Sequence, residues 1–220
     1  TLASFTVQPT ISTVYSVVGT SSLGCVSNTY TISVSVAPAP VVLVTSDYAQ
    51  IPPGAQVNLS ASGASTYSWS PGTGLSASVG ANVTATPGST TRYIANGINS
   101  QGCSDTMSVL VKMLPLNGGT ISGTKNVCIG SEVGSIAEVN VANGGTGNGY
   151  TYTWEKSTDN INWTTVTGAV TTSPSISDKV TLNVFYRRKV TNLGVTAYSN
   201  ICTVQPIQRP TVSLSSNKTS

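Results

Sequence analysis

Short segments in which apolar and polar residues alternate recur along the chain, with clusters of Gly, Pro, Asn and Ser between them. Between residues 41 and 113 these segments are VVLVTS, QVNLSAS, STYSWS, ANVTAT, TRYIAN and TMSVLVKM. A period of two is typical of strands that bury one face, and the residues between the segments favour turns. No helical period of useful length appears. The pattern predicts an all-β protein built of sandwiches with six or seven strands each.

An internal repeat indicates how the strands are organised. Residues 6–25 align without a gap with residues 84–103, and each segment continues into an alternating strand, TYTISVSV or TMSVLVKM. The identical positions are Thr6, Pro9, Thr13, Tyr15, Gly19, Ser22, Gly24 and Cys25, which fall on Thr84, Pro87, Thr91, Tyr93, Gly97, Ser100, Gly102 and Cys103. A more distant third copy keeps the order Tyr186, Gly194, Ser199, Asn200. Repetition of this kind predicts tandem domains.

Proline-containing stretches mark the expected domain boundaries, near Pro38 to Pro40, at Pro115, and from Pro206 to Pro210. We predict the C-terminal part of one domain in residues 1–38, complete domains in 39–115 and 116–208, and the start of a further repeat in 209–220. The chain is thus expected to open partway through a domain. Because proline fixes φ and stiffens each connection, the domains should form a rod.

Four aromatic residues are predicted to lie in the domain cores. Trp69 and Trp154 stand in the middle of central strands, where each alternates with outward Ser, Thr or Glu, and each precedes a strand that carries Tyr93 or Tyr186. A tryptophan on the central strand that fills the space between two sheets is a known feature of such sandwiches. Core packing is therefore preferred over a ligand-binding aromatic platform, whereas Trp163 is expected nearer the surface.

The composition argues against catalysis. Charged residues make up 8% of the chain, which contains no His. No two of the seven acidic residues form the close pair that a glycosidase needs, and the many Ser residues lack the usual general base. Asp159, Asn160 and Asn162 offer oxygens for calcium, but their spacing matches no full calcium loop and a solvated hairpin tip is preferred. We predict no enzyme activity, no cofactor and no metal.

The one basic run, Arg187, Arg188 and Lys189, lies inside a predicted strand. Alternation sends neighbouring side chains of a strand to opposite faces, so the three charges should not form one patch. We therefore predict no nucleic-acid partner.

The four cysteines favour an oxidising, extracytoplasmic compartment, since the chain has neither His nor a CxxC pair for the common zinc sites. Cys128 and Cys202 lie in the first and last portions of the third predicted domain, and a disulfide between them is the simplest prediction. Cys103 is expected to be unpaired within its domain, because Pro52 occupies the place that corresponds to Cys128. The partner of Cys25 is expected upstream of Thr1.

Several segments resemble the Ig-like and PKD-like repeats of very large secreted surface proteins of Bacteroidetes-type bacteria, including gliding-motility adhesins. YSWSPGTGLSASVGANVTATPGSTTRYIANGINSQGC is similar to the PKD-like repeat, and NVCIGSEV, YTYTWEKSTDNINWTTVTGA and YRRKVTN are similar to the Ig-like one. The resemblance implies export across the outer membrane by a type IX secretion route, an extracellular location at the cell surface in association with the outer membrane, and a disulfide between Cys128 and Cys202. It also implies O-glycosylation at Thr106, because Asp105, Thr106 and Met107 match the modification motif of the family.

These observations lead to one preferred function and two alternatives. We expect a structural stalk segment of a large secreted cell-surface adhesin, used in surface attachment or gliding motility. Its partners would be further repeats of the same chain and the secretion machinery, with other domains binding a surface or glycan. The alternatives are a carbohydrate-binding or spacer module of a secreted polysaccharide-degrading enzyme, and a surface filament subunit.

Overall fold

The computed structural model describes residues 4–213, and all regular secondary structure in that range is β. The predicted all-β class is therefore confirmed. No helix occurs among these residues, and so none that could cross a membrane. Residues 209–220, which the sequence predicts to begin a further repeat, lie mostly outside the described range.

The first element is an antiparallel hairpin, which we call the N-terminal hairpin. Its strands are β1 (Thr13–Val17) and β2 (Tyr30–Val34). In their register Tyr15 pairs with Ile32. No further strand pairs with this hairpin among residues 4–213.

Seven strands then form the middle sandwich. One sheet has the order β3-β5-β7 and the other has the order β4-β9-β8-β6, in which β4 runs parallel to β9 and the other pairs are antiparallel. The two short strands that come first, β3 and β4, thus contribute to opposite sheets. The strands are β3 (Leu43–Ser46), β4 (Gln50–Ile51), β5 (Val57–Ser62), β6 (Thr66–Ser70), β7 (Asn82–Ala85), β8 (Thr91–Ile98) and β9 (Ser104–Met113).

The C-terminal sandwich repeats this scheme. Its larger sheet has the order β11-β19-β17-β14-β15, with β18 also on β17, and β11 runs parallel to β19. The facing layer consists of the pairs β10–β13 and β12–β16. The strands are β10 (Thr120–Ile121), β11 (Thr124–Cys128), β12 (Glu132–Ser135), β13 (Glu138–Asn140), β14 (Thr151–Ser157), β15 (Thr164–Thr165), β16 (Ser175–Lys179), β17 (Val184–Asn192), β18 (Val195–Tyr198) and β19 (Cys202–Ile207).

Both sandwiches have the immunoglobulin-like arrangement, with a tryptophan on the central strand that faces the opposite sheet. Each encloses its own core of buried apolar side chains. The core of the middle sandwich includes Val57, Leu59, Trp69, Tyr93, Ala95 and Val111, and that of the C-terminal sandwich includes Val133, Ile136, Trp154, Tyr186, Cys202 and Val204.

The strand register shows that the sequence repeat is also a structural repeat. Tyr15 pairs with Ile32 in the N-terminal hairpin, and Tyr93 pairs with Val109 in the middle sandwich. In the C-terminal sandwich Tyr186 pairs with Cys202. Cys202 therefore occupies the position of Val109, inside a strand. Cys103, by contrast, lies at the tip of its hairpin.

Candidate functional site

The four aromatic residues predicted to be in the cores are buried there. Tyr93, Trp154 and Tyr186 are fully buried, and Trp69 is 4% exposed. Each tryptophan also satisfies its indole N–H, since Trp69 Nε1 donates to Gly80 O at 2.9 Å and Trp154 Nε1 donates to Thr171 O at 2.8 Å. With their faces covered and their polar atoms satisfied, these rings offer no platform to a ligand.

The disulfide predicted between Cys128 and Cys202 is not formed, and both thiols are free. In the parallel register Cys128 pairs with Ile207, five residues beyond Cys202. At about 3.3 Å per residue the two cysteines are about 16 Å apart along the sheet, whereas a disulfide needs Cα atoms within about 7 Å. Cys128 is exposed and Cys202 is buried. Burial raises the pKa of the Cys202 thiol, which makes it less reactive.

Arg188 is a buried cation that sequence analysis did not identify. Its side chain is fully buried and pairs across the sheet with Trp154, where the middle sandwich has Ala95 opposite Trp69. Nη1 donates to the Glu138 carboxylate and to Thr172 O at 3.3 Å. Nη2 donates to Gly118 O at 2.9 Å, while Nε has no hydrogen-bond partner among the described residues. Arg188 thus links β17 of the larger sheet to Gly118, Glu138 and Thr172, which lie outside that sheet.

Arg187 points to the opposite face of the same sheet, as alternation requires. Its guanidinium lies 4.0 Å from the ring centroids of both Trp163 and Tyr198. Glu155 Oε2 accepts from Nε at 2.8 Å and from Nη2 at 2.7 Å. We call Trp163, Arg187, Tyr198 and Glu155 the outer strip. Because the guanidinium covers one face of each ring, each ring has a single face left for any ligand.

Six of the seven acidic residues contact specific partners within the fold. Asp178 Oδ2 accepts from Lys156 Nζ at 2.8 Å and from Tyr186 Oη at 2.9 Å, which joins the two sheets of the C-terminal sandwich. Burial and this hydrogen bond to Asp178 raise the pKa of Tyr186. The other five acidic residues with such partners are Asp47, Asp105, Glu138, Glu155 and Asp159. Glu132 is the seventh acidic residue and is not among these six.

Asp159 caps its own loop. Its Oδ1 accepts from the backbone N of Ile161 at 2.9 Å and of Asn162 at 2.7 Å, and its Oδ2 accepts from Asn162 Nδ2 at 2.7 Å. These hydrogen bonds hold the pKa of Asp159 well below its usual range. The loop therefore uses the carboxylate that calcium would need, and no cluster of three potential metal ligands occurs in residues 4–213.

Thr106, the candidate modification site, is exposed on β9. It pairs with Asn96 on β8, and the Asp105 carboxylate before it accepts from the backbone N of Val42 at 3.0 Å. The O-glycosylation stays a prediction.

The two sandwiches contact each other through a loop and a hairpin tip. The loop, residues 143–149, contains four glycines, and the tip comprises residues 192–195. Gly145 N donates to Leu114 O at 3.0 Å, at the end of the middle sandwich. Leu193 and Val195 pack against the core of the middle sandwich. We call this contact the junction.

Asn192 holds the loop and the tip of the junction together. It is 3% exposed, its Oδ1 accepts from Thr146 N at 2.9 Å, and its Nδ2 donates to Asn148 O at 2.8 Å. Gly144 has φ of 85°, and a Cβ there would collide with the carbonyl oxygen of Pro115. Glycine is thus required where the loop passes the connection.

The corresponding hairpin tip of the middle sandwich contacts the preceding connection in a similar way. Asn99 Nδ2 donates to Pro38 O at 3.0 Å, and Cys103 Sγ lies 3.6 Å from Ala37 O. The same part of each sandwich therefore faces the polypeptide that comes before it.

Comparison with known proteins adds a partial family match. Residues 117–207 match the model of a domain of unknown function, DUF8696. No curated protein sequence matches the chain.

Tandem β-domains are among the similar solved structures. Three N-terminal domains of the bacteriophage RB49 highly immunogenic outer capsid protein are 14% identical, with 94% of this chain and 92% of that chain covered and a TM-score of 0.44. Domains A168–A170 of titin are 13% identical, with 90% and 75% covered and a TM-score of 0.39. The tandem Ig repeats of Dlar are 13% identical, with 79% and 100% covered and a TM-score of 0.31. At this level of similarity the matches carry no information about ligands or partners.

Proposed function

We propose that this chain is a stalk segment of a large secreted cell-surface adhesin, in which tandem immunoglobulin-like domains hold distal binding domains away from the cell. In this proposal residues 39–115 and 116–208 are two complete units of the stalk, and residues 1–38 and 209–220 belong to neighbouring units. Its partners are further repeats of the same chain, and the ligand or surface is bound by other domains.

The observation that supports this function best is the junction. A stalk keeps its full extension only if consecutive domains resist bending, and contacts beyond the connecting strand restrict bending. Here the backbone hydrogen bond from Gly145 to Leu114 fixes the connection, and Leu193 covers part of the preceding core. The corresponding hairpin tip of the middle sandwich makes a similar contact, in which Asn99 donates to Pro38 O.

Structural roles for the charged side chains support a non-enzymatic function. Arg188, Asp159 and Asp178 are occupied by partners in the fold, as described above. Catalytic groups instead need to be available to a substrate. A location outside the cell is proposed from the low content of charged residues, together with the resemblance to secreted surface repeats.

The proposal is tested in source cells that carry variants of the full-length protein. An antibody against residues 39–208 should label intact cells without permeabilisation. Deleting residues 39–208 should weaken attachment, and replacing them with two unrelated immunoglobulin-like domains of similar length should restore it. Failure of that replacement, with loss of attachment also in Trp163→Ala, would contradict a spacer role.

The outer strip favours one alternative, a carbohydrate-binding module, because Trp163 and Tyr198 each keep one ring face uncovered by Arg187. Glycan-array binding by the purified chain that is lost in Trp163→Ala would support this alternative over the stalk.

A further inference from the structure

The N-terminal hairpin and the segment before it expose an apolar surface that is unusual for a folded protein. Phe5 is 83% exposed and Ile32 is 62% exposed. We call the surface the acceptor face; it consists of Phe5, Val7, Tyr15, Val17, Ile32 and Val34, which together line one open groove. Tyr15, Val17, Ile32 and Val34 share one side of the hairpin, since their register pairs Tyr15 with Ile32. Contiguous apolar surface of this kind marks an interaction site.

The repeat identifies the counterpart of each residue in the acceptor face. Phe5 and Val7 correspond to Val83 and Ala85 of β7, and Tyr15 and Val17 correspond to Tyr93 and Ala95 of β8. All four counterparts are at most 4% exposed. Ile32 and Val34 correspond to Val109 and Val111 of β9, and Val111 is fully buried. The acceptor face therefore has the sequence of a sandwich core.

The middle sandwich also shows what covers such a face. Its counterpart residues pack in one cluster with Val57 and Leu59 of β5 and with Trp69 of β6. These covering residues all come from residues 42–69, before β7 in the chain. Strands that cover the acceptor face in the same way would therefore come earlier in the chain and carry large inward side chains.

We propose that the acceptor face binds strands supplied by polypeptide N-terminal to Ser4 of the same molecule. Two of them are equivalent to β3 and β5 and form the facing sheet, and the third is equivalent to β6 and pairs with β1, as β6 pairs with β8 in the middle sandwich. The argument for a covalently linked layer is the order of elements: in the middle sandwich the covering strands lead directly into β7, and Phe5 and Val7 already occupy the β7 positions. Residues 4–36 are then the closing half of a further sandwich. This inference rests on the tandem organisation in the proposed function and not on adhesion itself.

The repeat alignment allows a direct test within the full chain. Since Ala81 aligns with Ala3, residues 40–81 are duplicated and joined in front of Ser4. Amide hydrogen exchange is then compared with that of the unextended chain. An isolated two-stranded hairpin is only marginally stable, so completing the sandwich should slow exchange at Tyr15 and Ile32 by at least about a hundredfold.

One control variant tests whether the protection depends on the acceptor face. The same extension with Tyr15→Ser and Ile32→Ser should leave the hairpin exchanging as fast as before, while the middle sandwich remains protected. An extension without these substitutions that gives no protection would overturn the proposal, because the duplicated segment folds in its original place at residues 40–81.

A second copy of the chain is the competing occupant. Sedimentation of the unextended chain should show a monomer whose mass is unchanged by Ile32→Ser. A dimer that Ile32→Ser converts to a monomer would overturn the assignment to the same polypeptide. Neither outcome affects cell-surface labelling or the replacement experiment, so failure of this inference is distinguishable from failure of the proposed function.

Discussion

Replacing Arg188 by Met should destabilise the C-terminal sandwich strongly. The substitution keeps an unbranched chain in the core but removes the guanidinium that donates to Glu138, Thr172 and Gly118. The carbonyl group of Gly118 loses a buried donor, and Glu138 loses its ion-pair partner. Breaking a buried pair by removing one member typically costs about 3 to 5 kcal/mol. The side chain of Glu138 is 20% exposed and can be rehydrated, so we expect the lower end of that range.

The neighbouring residue in the same strand provides a matched control. Arg187→Met removes a similar side chain from the outer face, where it stacks on Trp163 and Tyr198 and pairs with Glu155. Two partly exposed cation–π contacts and one ion pair of this kind are worth about 1 to 2 kcal/mol together. The two substitutions thus differ mainly in the face of the sheet that they affect.

The assay is urea unfolding read by hydrogen exchange of peptides from each sandwich. Peptides from residues 150–157 report on the C-terminal sandwich, and peptides from residues 57–62 report on the middle one. Arg188→Met should lower the unfolding free energy in the first set and leave the second set nearly unchanged. In a double-mutant cycle with Glu138→Gln, the loss of unfolding free energy in the double mutant should differ from the sum of the two single losses by about 0.5 to 3 kcal/mol. Equal losses for Arg187→Met and Arg188→Met would refute the reasoning.

Three further predictions use other parts of the fold. Trp69→Ala and Trp154→Ala should each cost roughly 3 to 5 kcal/mol in unfolding experiments on their own sandwich, and loss of glycan binding without loss of stability would contradict core packing. Alkylation without reduction should label Cys128 and spare buried Cys202 until urea unfolds the sandwich, whereas a mass two hydrogens lower in a Cys128–Cys202 peptide pair would contradict the observed register. The pKa of Tyr186 is raised in the folded state, so its contribution to stability is complete below its unfolded pKa of about 10 and is lost as the pH rises above it. Tyr186→Phe should flatten this alkaline decrease in thermal melts, and an unchanged pH profile would exclude Tyr186 as its source.

The sequence alone predicted the strands and the inward-facing tryptophans, because the alternation of apolar and polar residues indicates directly which face of a strand is buried. It also showed that Arg187 and Arg188 lie on opposite faces. It did not identify Glu138 as the partner of Arg188, since these residues lie on different sheets and their contact depends on tertiary packing. The pairing of Cys128 with Cys202 was wrong for a related reason. The register of the parallel strands β11 and β19 is set by long-range contacts, and it places Cys128 beside Ile207.

The junction was predicted only in part. Pro115 indicated a connection between two domains, but the glycine-rich loop at residues 143–149 was not predicted. Nothing in their local pattern indicates that Gly145 bonds to Leu114, or that Asn192 holds the loop against the hairpin tip. Such contacts require two domains to be placed side by side, which the period of a single strand does not encode.

Small-angle X-ray scattering of the purified chain tests the central claim, a stiff tandem of immunoglobulin-like domains, most directly. A compact globule of this length would have a radius of gyration of about 17 Å. We predict a clearly larger value with the pair-distance distribution of a rod, and Gly145→Pro, which removes the donor to Leu114, should broaden that distribution. A radius of gyration near the compact value for the unmodified chain would contradict the account.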